Sequence, residues 1–257
     1  MAEPMLERAG KLFFRWRSFT PAPLLLLAIP LLWRSRGGGG PWWVAAGLAL
    51  CVAGQALRAW VIGQVPDGTS GQNERLIATE LNTAGPYAHT RNPLYLGNFL
   101  ITLGLCVVAH DPLLLVAVAA LFAVQYRAIV AAEEAFLRAR FPGHFEEYCS
   151  RVPRFWPALR AGTPQPPAGA ARRWSWRRAL KKEHNPFAAW VAIALVLLAA
   201  DRVFAAGTAP ALRTLRPYAA ALAALAAAWL FVKGWKHRWF SGGFADDLRR
   251  RLRETAR

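Results

Sequence analysis

Long apolar runs alternate with short polar, mostly basic segments along this chain. Six runs are long enough, or nearly so, to cross a hydrocarbon layer of about 30 Å as helices. They cover residues 19–33, 42–62, 94–109, 112–130, 187–206 and 217–233. Charged residues are few inside these runs and concentrated between them. The pattern predicts an all-α fold, a polytopic transmembrane helical bundle of about six spans with cytoplasmic helical connectors.

Turn and capping residues set the boundaries of the central helices. An Asn-Pro pair at 92–93 predicts a helix start, because Asn caps well and Pro suits the first helical position. A His-Asp-Pro turn at 110–112 predicts that the third and fourth helices are antiparallel neighbours. Gly97 and Gly104 lie seven residues apart, on one helix face, and permit close packing of that pair.

The chain divides into three regions by composition. Residues 1–160 form a membrane core with four spans and a polar segment at 131–160, where a Phe-Pro-Gly break at 141–143 interrupts a helix. Residues 161–186 predict a basic linker, rich in Pro and Gly at first. Residues 187–257 add two further transmembrane helices and a basic tail. The lead-in at 1–18 is basic and amphipathic, which suits a membrane surface.

The formal net charge of +17 over 257 residues would indicate nucleic acid binding on a soluble protein. Here the basic residues fall between apolar runs, which favours a topology signal and contact with anionic membrane lipids, with no nucleic acid partner. If the amino terminus is cytoplasmic, most of the 32 Lys and Arg residues lie on the cytoplasmic side. We therefore expect an integral membrane protein with both termini in the cytoplasm.

Cysteine usage indicates neither disulfides nor metal. Cys51 and Cys106 lie in apolar runs and Cys149 in a basic segment, a count and placement that fit no disulfide framework and no zinc site. The histidines His89 and His144 are more typical of interfacial loop residues than of a general base, and neither has a metal-ligand partner at useful spacing. The sequence therefore predicts no metal centre.

Two polar groups at membrane edges are candidates for chemistry. Arg91 precedes the helix start at 92–93, where free N–H groups and the guanidinium suit an anion, or simply an interfacial position. Glu133 and Glu134 point about 100° apart on a helix, so one carboxylate can face a ligand, such as ribose hydroxyls or a sulfonium, while the other faces solvent or an Arg. Arg127, about two turns upstream, is placed to orient a glutamate or bind a substrate carboxylate.

Arg58, near the end of the second apolar run, admits two interpretations. Its side chain can snorkel to the membrane interface, the reading we favour, or face a polar site inside the bundle.

Five blocks occur in order between residues 85 and 157. They are Gly85-Pro86-Tyr87, Arg91-Asn92-Pro93-Leu94-Tyr95 with Gly97, Glu133-Glu134 with Leu137, Phe141 with His144, Phe145 and Tyr148, and Val152-Pro153-Arg154-Phe155-Trp156-Pro157. Together they resemble the isoprenylcysteine carboxyl methyltransferase and phospholipid methyltransferase superfamily of integral membrane enzymes. The resemblance covers a quarter to a third of the chain and does not extend to residues 161–257.

This resemblance implies S-adenosyl-L-methionine as cofactor, bound at the cytoplasmic membrane face. The cofactor-binding residues that it implies are Tyr87, Arg91, Asn92, Pro93, Tyr95, Gly97, Glu133, Glu134, His144 and Tyr148. Arg91, Glu134 and Arg127 are the expected catalytic set, and Arg58 and Arg154 the expected substrate contacts. Many family members have His where this chain has Asn92, and Asn cannot titrate near neutral pH.

The implied activity is S-adenosylmethionine-dependent methyl transfer to an apolar or lipid-like acceptor. Such transfer needs in-line positioning and a dry pocket more than acid–base help. A carboxylate, an amine or a thiol acceptor all remain open. The alternative is a non-catalytic membrane scaffold, or a transport-associated subunit, that keeps the fold.

Overall fold

The computed structural model describes residues 9–10, 12–14, 40–65, 78, 80–162, 174–206 and 211–236. Helices account for most of them, and no strand occurs in these ranges. We number the six main helices in chain order: α1 Pro41–Gln64, α2 Pro93–Val108, α3 Pro112–Arg140, α4 His144–Arg151, α5 Trp176–Ala206 and α6 Ala211–Lys236, with a 3₁₀ turn at Gly85–Ala88 before α2. The all-α prediction is confirmed. The span predicted at 19–33 lies outside the described residues.

Four helices, α1, α3, α5 and α6, are long and apolar enough to cross a membrane by length and composition. The fifth apolar helix, α2, has only 16 residues. Five of the six predicted spans therefore correspond to apolar helices, which makes the protein an integral membrane protein.

Local sequence signals set the helix starts. α1, α2 and α3 each begin with Pro in the first turn, where its missing N–H has no consequence. Asp111 caps α3 by accepting a hydrogen bond from the Leu114 amide at 2.9 Å, and His110 takes a positive φ of 44°. The predicted turn at 110–112 is thereby confirmed.

Gly97 and Gly104 do permit a close helix contact, but the predicted partner was wrong. They face α1 rather than α3. A Cβ on Gly104 would lie 2.5 Å from the carbonyl oxygen of Gly47, and one on Gly97 would lie 2.9 Å from that of Gly54. Both helices thus carry glycines seven residues apart on the shared face, and α1 and α2 run antiparallel with their backbones nearly touching.

α3 continues past its apolar part to Arg140 and breaks at 141–143, as predicted. Gly143 has a φ of 77°, a left-handed conformation that suits Gly. α4 follows and buries Phe145, Tyr148 and Val152 in a small cluster. The polar end of the bundle is built on this cluster.

α5 begins at Trp176, inside the segment predicted as a basic linker, so the linker is shorter than expected. Its start is fixed to the end of α1, because the Ser175 amide and the Arg178 guanidinium both donate to the Gly63 carbonyl, at 3.0 and 3.1 Å. α5 then packs along α1 and α2, where Trp190 and Leu197 are buried. α5 is therefore packed into the core bundle, whereas α6 packs against α5.

Candidate functional site

The segment before α2 is held against the segment after α4 by a ladder of hydrogen bonds. The bonds run from Arg91 N to Pro153 O at 2.9 Å, from Ala158 N to His89 O at 2.9 Å, from Gly162 N to Ala88 O at 2.7 Å, and from Thr90 Oγ1 to Phe155 O at 2.8 Å. The His89 ring lies 2.8 Å from the Ala158 carbonyl, which gives this histidine a structural position. Two of the motif blocks are thus locked together.

Asn92 occupies the N-cap position of α2, but its side chain makes no capping hydrogen bond. Its Nδ2 instead donates to the Arg154 carbonyl at 2.7 Å. The prediction that the Asn92 side chain caps α2 is therefore wrong. Pro93 follows in the first turn and is fully buried. Asn92 therefore positions the backbone that carries Arg154.

Glu134 lies between two arginines from opposite ends of the motif region. Arg91 Nη1 is 3.1 Å from Glu134 Oε1, and Arg154 forms a bidentate pair with it, with Nε at 2.9 Å from Oε1 and Nη2 on Oε2. The glutamate is 7% exposed, and its hydrogen bond raises the pKa of Arg154. Such charge-assisted, bidentate contacts fix both guanidiniums, and they make Glu134 an organiser of the two arginines.

Glu133 points elsewhere, as the 100° separation of helix neighbours requires. Its Oε1 accepts a hydrogen bond from the Tyr95 hydroxyl at 2.6 Å, and the residue is half-buried. A ligand can therefore reach the carboxylate of Glu133 more readily than that of Glu134.

Arg91 makes a further contact with α4, where its Nη1 lies 2.6 Å from the Cys149 sulfur. Its Nε is buried and has no hydrogen-bond partner among the described residues. Burial raises the pKa of the Cys149 thiol, and Arg91 partly opposes this. Buried donors are usually hydrogen-bonded in folded proteins, so Arg91 Nε is available to a polar ligand or a water molecule.

Tyr87 and Tyr148 are hydrogen-bonded to each other next to the ion-pair cluster. The Tyr148 hydroxyl donates to the Tyr87 carbonyl at 2.7 Å, and burial raises the pKa of both phenols. Both hydroxyls therefore stay protonated near neutral pH.

An aromatic cluster lies between α2 and α3 next to these charges. The Tyr126 ring stacks on Phe122 with centroids 3.8 Å apart and meets Tyr95 edge-on at 4.7 Å. Phe99 contacts both Phe122 and Phe155. Apolar walls of this kind suit a water-poor ligand pocket.

Arg127, His144 and Gly97, which were predicted as site residues, lie outside the ion-pair cluster formed by Arg91, Glu134 and Arg154. Arg127 is exposed, about 10 Å along α3 from Glu134, and no described contact joins it to the ion pairs. His144 is exposed at the start of α4. Gly97 is a packing residue, since a Cβ there would lie 2.6 Å from Cγ of Arg58.

Arg58 does not snorkel, so the favoured prediction was wrong. It forms a bidentate ion pair with Glu183 of α5, with Nε and Nη2 each 2.8 Å from a carboxylate oxygen. The Glu183 side chain is buried and that of Arg58 is nearly so, at 7% and 13% exposure. Because Glu183 balances its charge, Arg58 is poorly placed to bind an anionic substrate.

Sequence reasoning missed Glu183, Asn98, Tyr126 and Cys149. Glu183 could have been noticed from its position just before the apolar run at 187–206. It lies two turns into α5, in the part of that helix that the sequence predicted to be a linker. Among the described residues, no three His, Cys, Asp or Glu side chains come together as a metal site would require.

The sequence profile of the phospholipid methyltransferase family matches residues 42–143. This match confirms the resemblance drawn from the motifs and covers Arg91, Tyr95, Glu133 and Glu134. It ends before Cys149, Arg154 and α5. At a coarse level, then, this part of the chain is similar to the phospholipid methyltransferase family.

Two curated proteins are similar over about a third of the chain. A nickel-cobalt-cadmium resistance protein of Alcaligenes xylosoxydans xylosoxydans is 39% identical over 82 residues, which is 32% of this chain and 38% of the relative. A cobalt-zinc-cadmium resistance protein of Cupriavidus metallidurans is 40% identical over 79 residues, 31% of this chain and 36% of the relative. The matched part thus spans less than two fifths of each relative. No solved structure matches the chain.

Proposed function

We propose that this protein is a membrane methyltransferase that transfers a methyl group from S-adenosyl-L-methionine to an apolar or lipid-like acceptor at the cytoplasmic membrane face. The observation that supports this most is the convergence of three separated motif blocks. Arg91, Glu134 and Arg154 form one ion-pair cluster, although 63 positions separate the outer two in the chain.

The residues present fit the cofactor in charge and polarity. Glu133, half-buried and hydrogen-bonded to Tyr95, would accept ribose hydroxyls or face the sulfonium charge. The unpartnered Nε of Arg91 would donate to a carboxylate. When bound, S-adenosylmethionine supplies the activated methyl group. The protein orients both reactants and excludes water.

The aromatic cluster would provide an apolar surface that binds the acceptor. Tyr95, hydrogen-bonded to Glu133, meets Tyr126 edge-on, and the rings of Phe99 and Phe155 also meet edge-on, with centroids 6.5 Å apart. An acceptor with an apolar tail would bury it there and present its nucleophilic atom toward Glu133. Carboxylate, amine and thiol acceptors are all compatible with this arrangement.

The test is calorimetric titration of S-adenosylmethionine into purified protein in lipid nanodiscs, with Glu133→Gln as the variant. Glu147→Gln is the matched control, because Glu147 is exposed and pairs with Arg151 on the surface. We expect micromolar binding that the control retains and Glu133→Gln weakens about tenfold, as loss of one charged hydrogen bond would. Binding unaffected by Glu133→Gln would refute the role of this residue.

The second candidate is the non-catalytic scaffold or transport-associated subunit, prompted by the metal-resistance names of the two relatives. It predicts no affinity for S-adenosylmethionine in folded protein, with or without membrane lipid. The same titration, carried out both in nanodiscs and in lipid-free detergent, therefore distinguishes the two functions.

A further inference from the structure

A chain of polar contacts crosses the interior of the bundle from α5 to the candidate site. It begins at Glu183, which is 5% exposed. The carboxylate accepts three hydrogen bonds, from Gln55 Nε2 at 3.0 Å and from Nε and Nη2 of Arg58 at 2.8 Å each. Gln55 is held in turn by the Trp190 indole N–H at 3.0 Å. The carboxylate is thus well satisfied inside a largely apolar bundle.

The contacts continue through α2 to α3. Arg58 Nη1 donates to Oδ1 of Asn98, and Asn98 Nδ2 donates to the Tyr126 hydroxyl at 3.1 Å. The Tyr126 ring meets Tyr95 edge-on at 4.7 Å, and Tyr95 holds Glu133. Each link is a direct contact, so Glu183 is connected to the carboxylate expected to meet the cofactor.

Packing alone does not account for this arrangement. Charges inside a membrane bundle are costly, and well-packed apolar residues at the positions of a buried ion pair often give equal or greater stability. The contacts do specify geometry, because Asn98 uses its oxygen for Arg58 and its amide nitrogen for Tyr126. Rotation of either partner would break a buried hydrogen bond.

We propose that Glu183 is a positioning residue for the candidate site, acting through Arg58, Asn98 and Tyr126 on the Tyr95–Glu133 pair. The identity of the ligand at that pair rests on the proposed function. The chain of contacts from Glu183 to Glu133, which we call the relay, is present in the ligand-free protein. α5, which lies outside the family match, then contributes a positioning residue to the site.

The experiment compares Glu183→Gln, Asn98→Ala and their combination in full-length protein in nanodiscs. Asn98→Ala breaks the relay but keeps the Arg58–Glu183 ion pair. The proposal can therefore still be tested if Glu183→Gln fails to fold. Leu197→Ala is the control, because Leu197 lies in the apolar core of the same helix and outside the relay. Two readouts are taken, the Kd for S-adenosylmethionine and amide hydrogen exchange by mass spectrometry.

Both relay variants are expected to weaken binding about tenfold, and the double variant to be no weaker than the worse single one, since residues acting in one network are not additive. Exchange should accelerate at residues 94–98 in the relay variants but only near 105–118 in Leu197→Ala. Unchanged exchange at 94–98, unchanged affinity in a folded relay variant, or additive losses would each overturn the proposal. If the unmodified protein binds no S-adenosylmethionine, the proposed function fails, and the exchange pattern alone decides the relay.

Discussion

Arg154 Nε lies 2.9 Å from Oε1 of Glu134, although twenty residues, a helix break and the whole of α4 separate them in the chain. The contact joins the end of α3 to the segment that follows α4. Because Arg91 meets the same carboxylate from the start of α2, one glutamate holds three pieces of the chain at one end of the bundle. The candidate site depends on that arrangement.

Glu134→Gln should destabilise the protein. It removes the charge that balances two arginines, and we expect a loss of about 3 kcal/mol, the lower end of the cost of breaking a buried ion pair, because Arg154 is 47% exposed. Thermal unfolding in detergent measures this. Glu147→Gln, at an exposed pair with Arg151, should change stability by less than about 1 kcal/mol. Equal shifts for both variants would contradict the central role of Glu134.

Tyr95→Phe should weaken S-adenosylmethionine binding while leaving the fold intact. The variant keeps the ring contact with Tyr126 but loses the hydrogen bond to Glu133, which contributes about 1 kcal/mol, or about fivefold in Kd. Calorimetry measures the affinity and thermal unfolding the stability. Tyr218→Phe on α6 makes the same chemical change elsewhere and should leave affinity unchanged. An equal loss in both variants would argue against a local effect at Glu133.

Gly104→Ala should lower stability by about 1–3 kcal/mol, the usual cost of overpacking. The added Cβ would lie 2.5 Å from the Gly47 carbonyl oxygen, so α1 and α2 must move apart. Gly40→Ala is the control, because a Cβ there has nothing within 4 Å. Thermal unfolding of both variants provides the comparison, and an unaffected Gly104→Ala protein would show that the two helices are less tightly packed than the structure has them.

Cys149 should react slowly with iodoacetamide at pH 7–8. Burial raises its pKa, so at a given pH in this range it has less thiolate than an ordinary cysteine, whose pKa is about 8.5. The alkylation rate should keep rising with pH above the point at which a free thiol levels off. Mass spectrometry of the modified peptide measures the rate, with the unfolded protein as reference. A rate equal to that of the unfolded chain near pH 7 would refute the shift.

The sequence alone was sufficient for the starts of the three central helices, but not for the start of α5. Apolar runs, the prolines at the helix starts and the Asp111 cap act within a few residues, so α1, α2 and α3 begin within one residue of their predicted positions. It also predicted Arg91, Glu133 and Glu134 as site residues, through motif resemblance and the 100° separation of adjacent helix residues. These features are local, and local patterns are visible in a linear chain.

Only the tertiary structure decided which faces meet. The spacing of Gly97 and Gly104 indicated a close contact but not that α1 supplies it. The sequence favoured a position at the membrane interface for Arg58, but its partner is Glu183, 125 positions away in the chain. Arg127 and Glu134 share a helix face, yet one is exposed and the other buried, because burial depends on what packs against each turn. Partner choice of this kind is set by the packing of the whole bundle, and no periodicity in the chain encodes it.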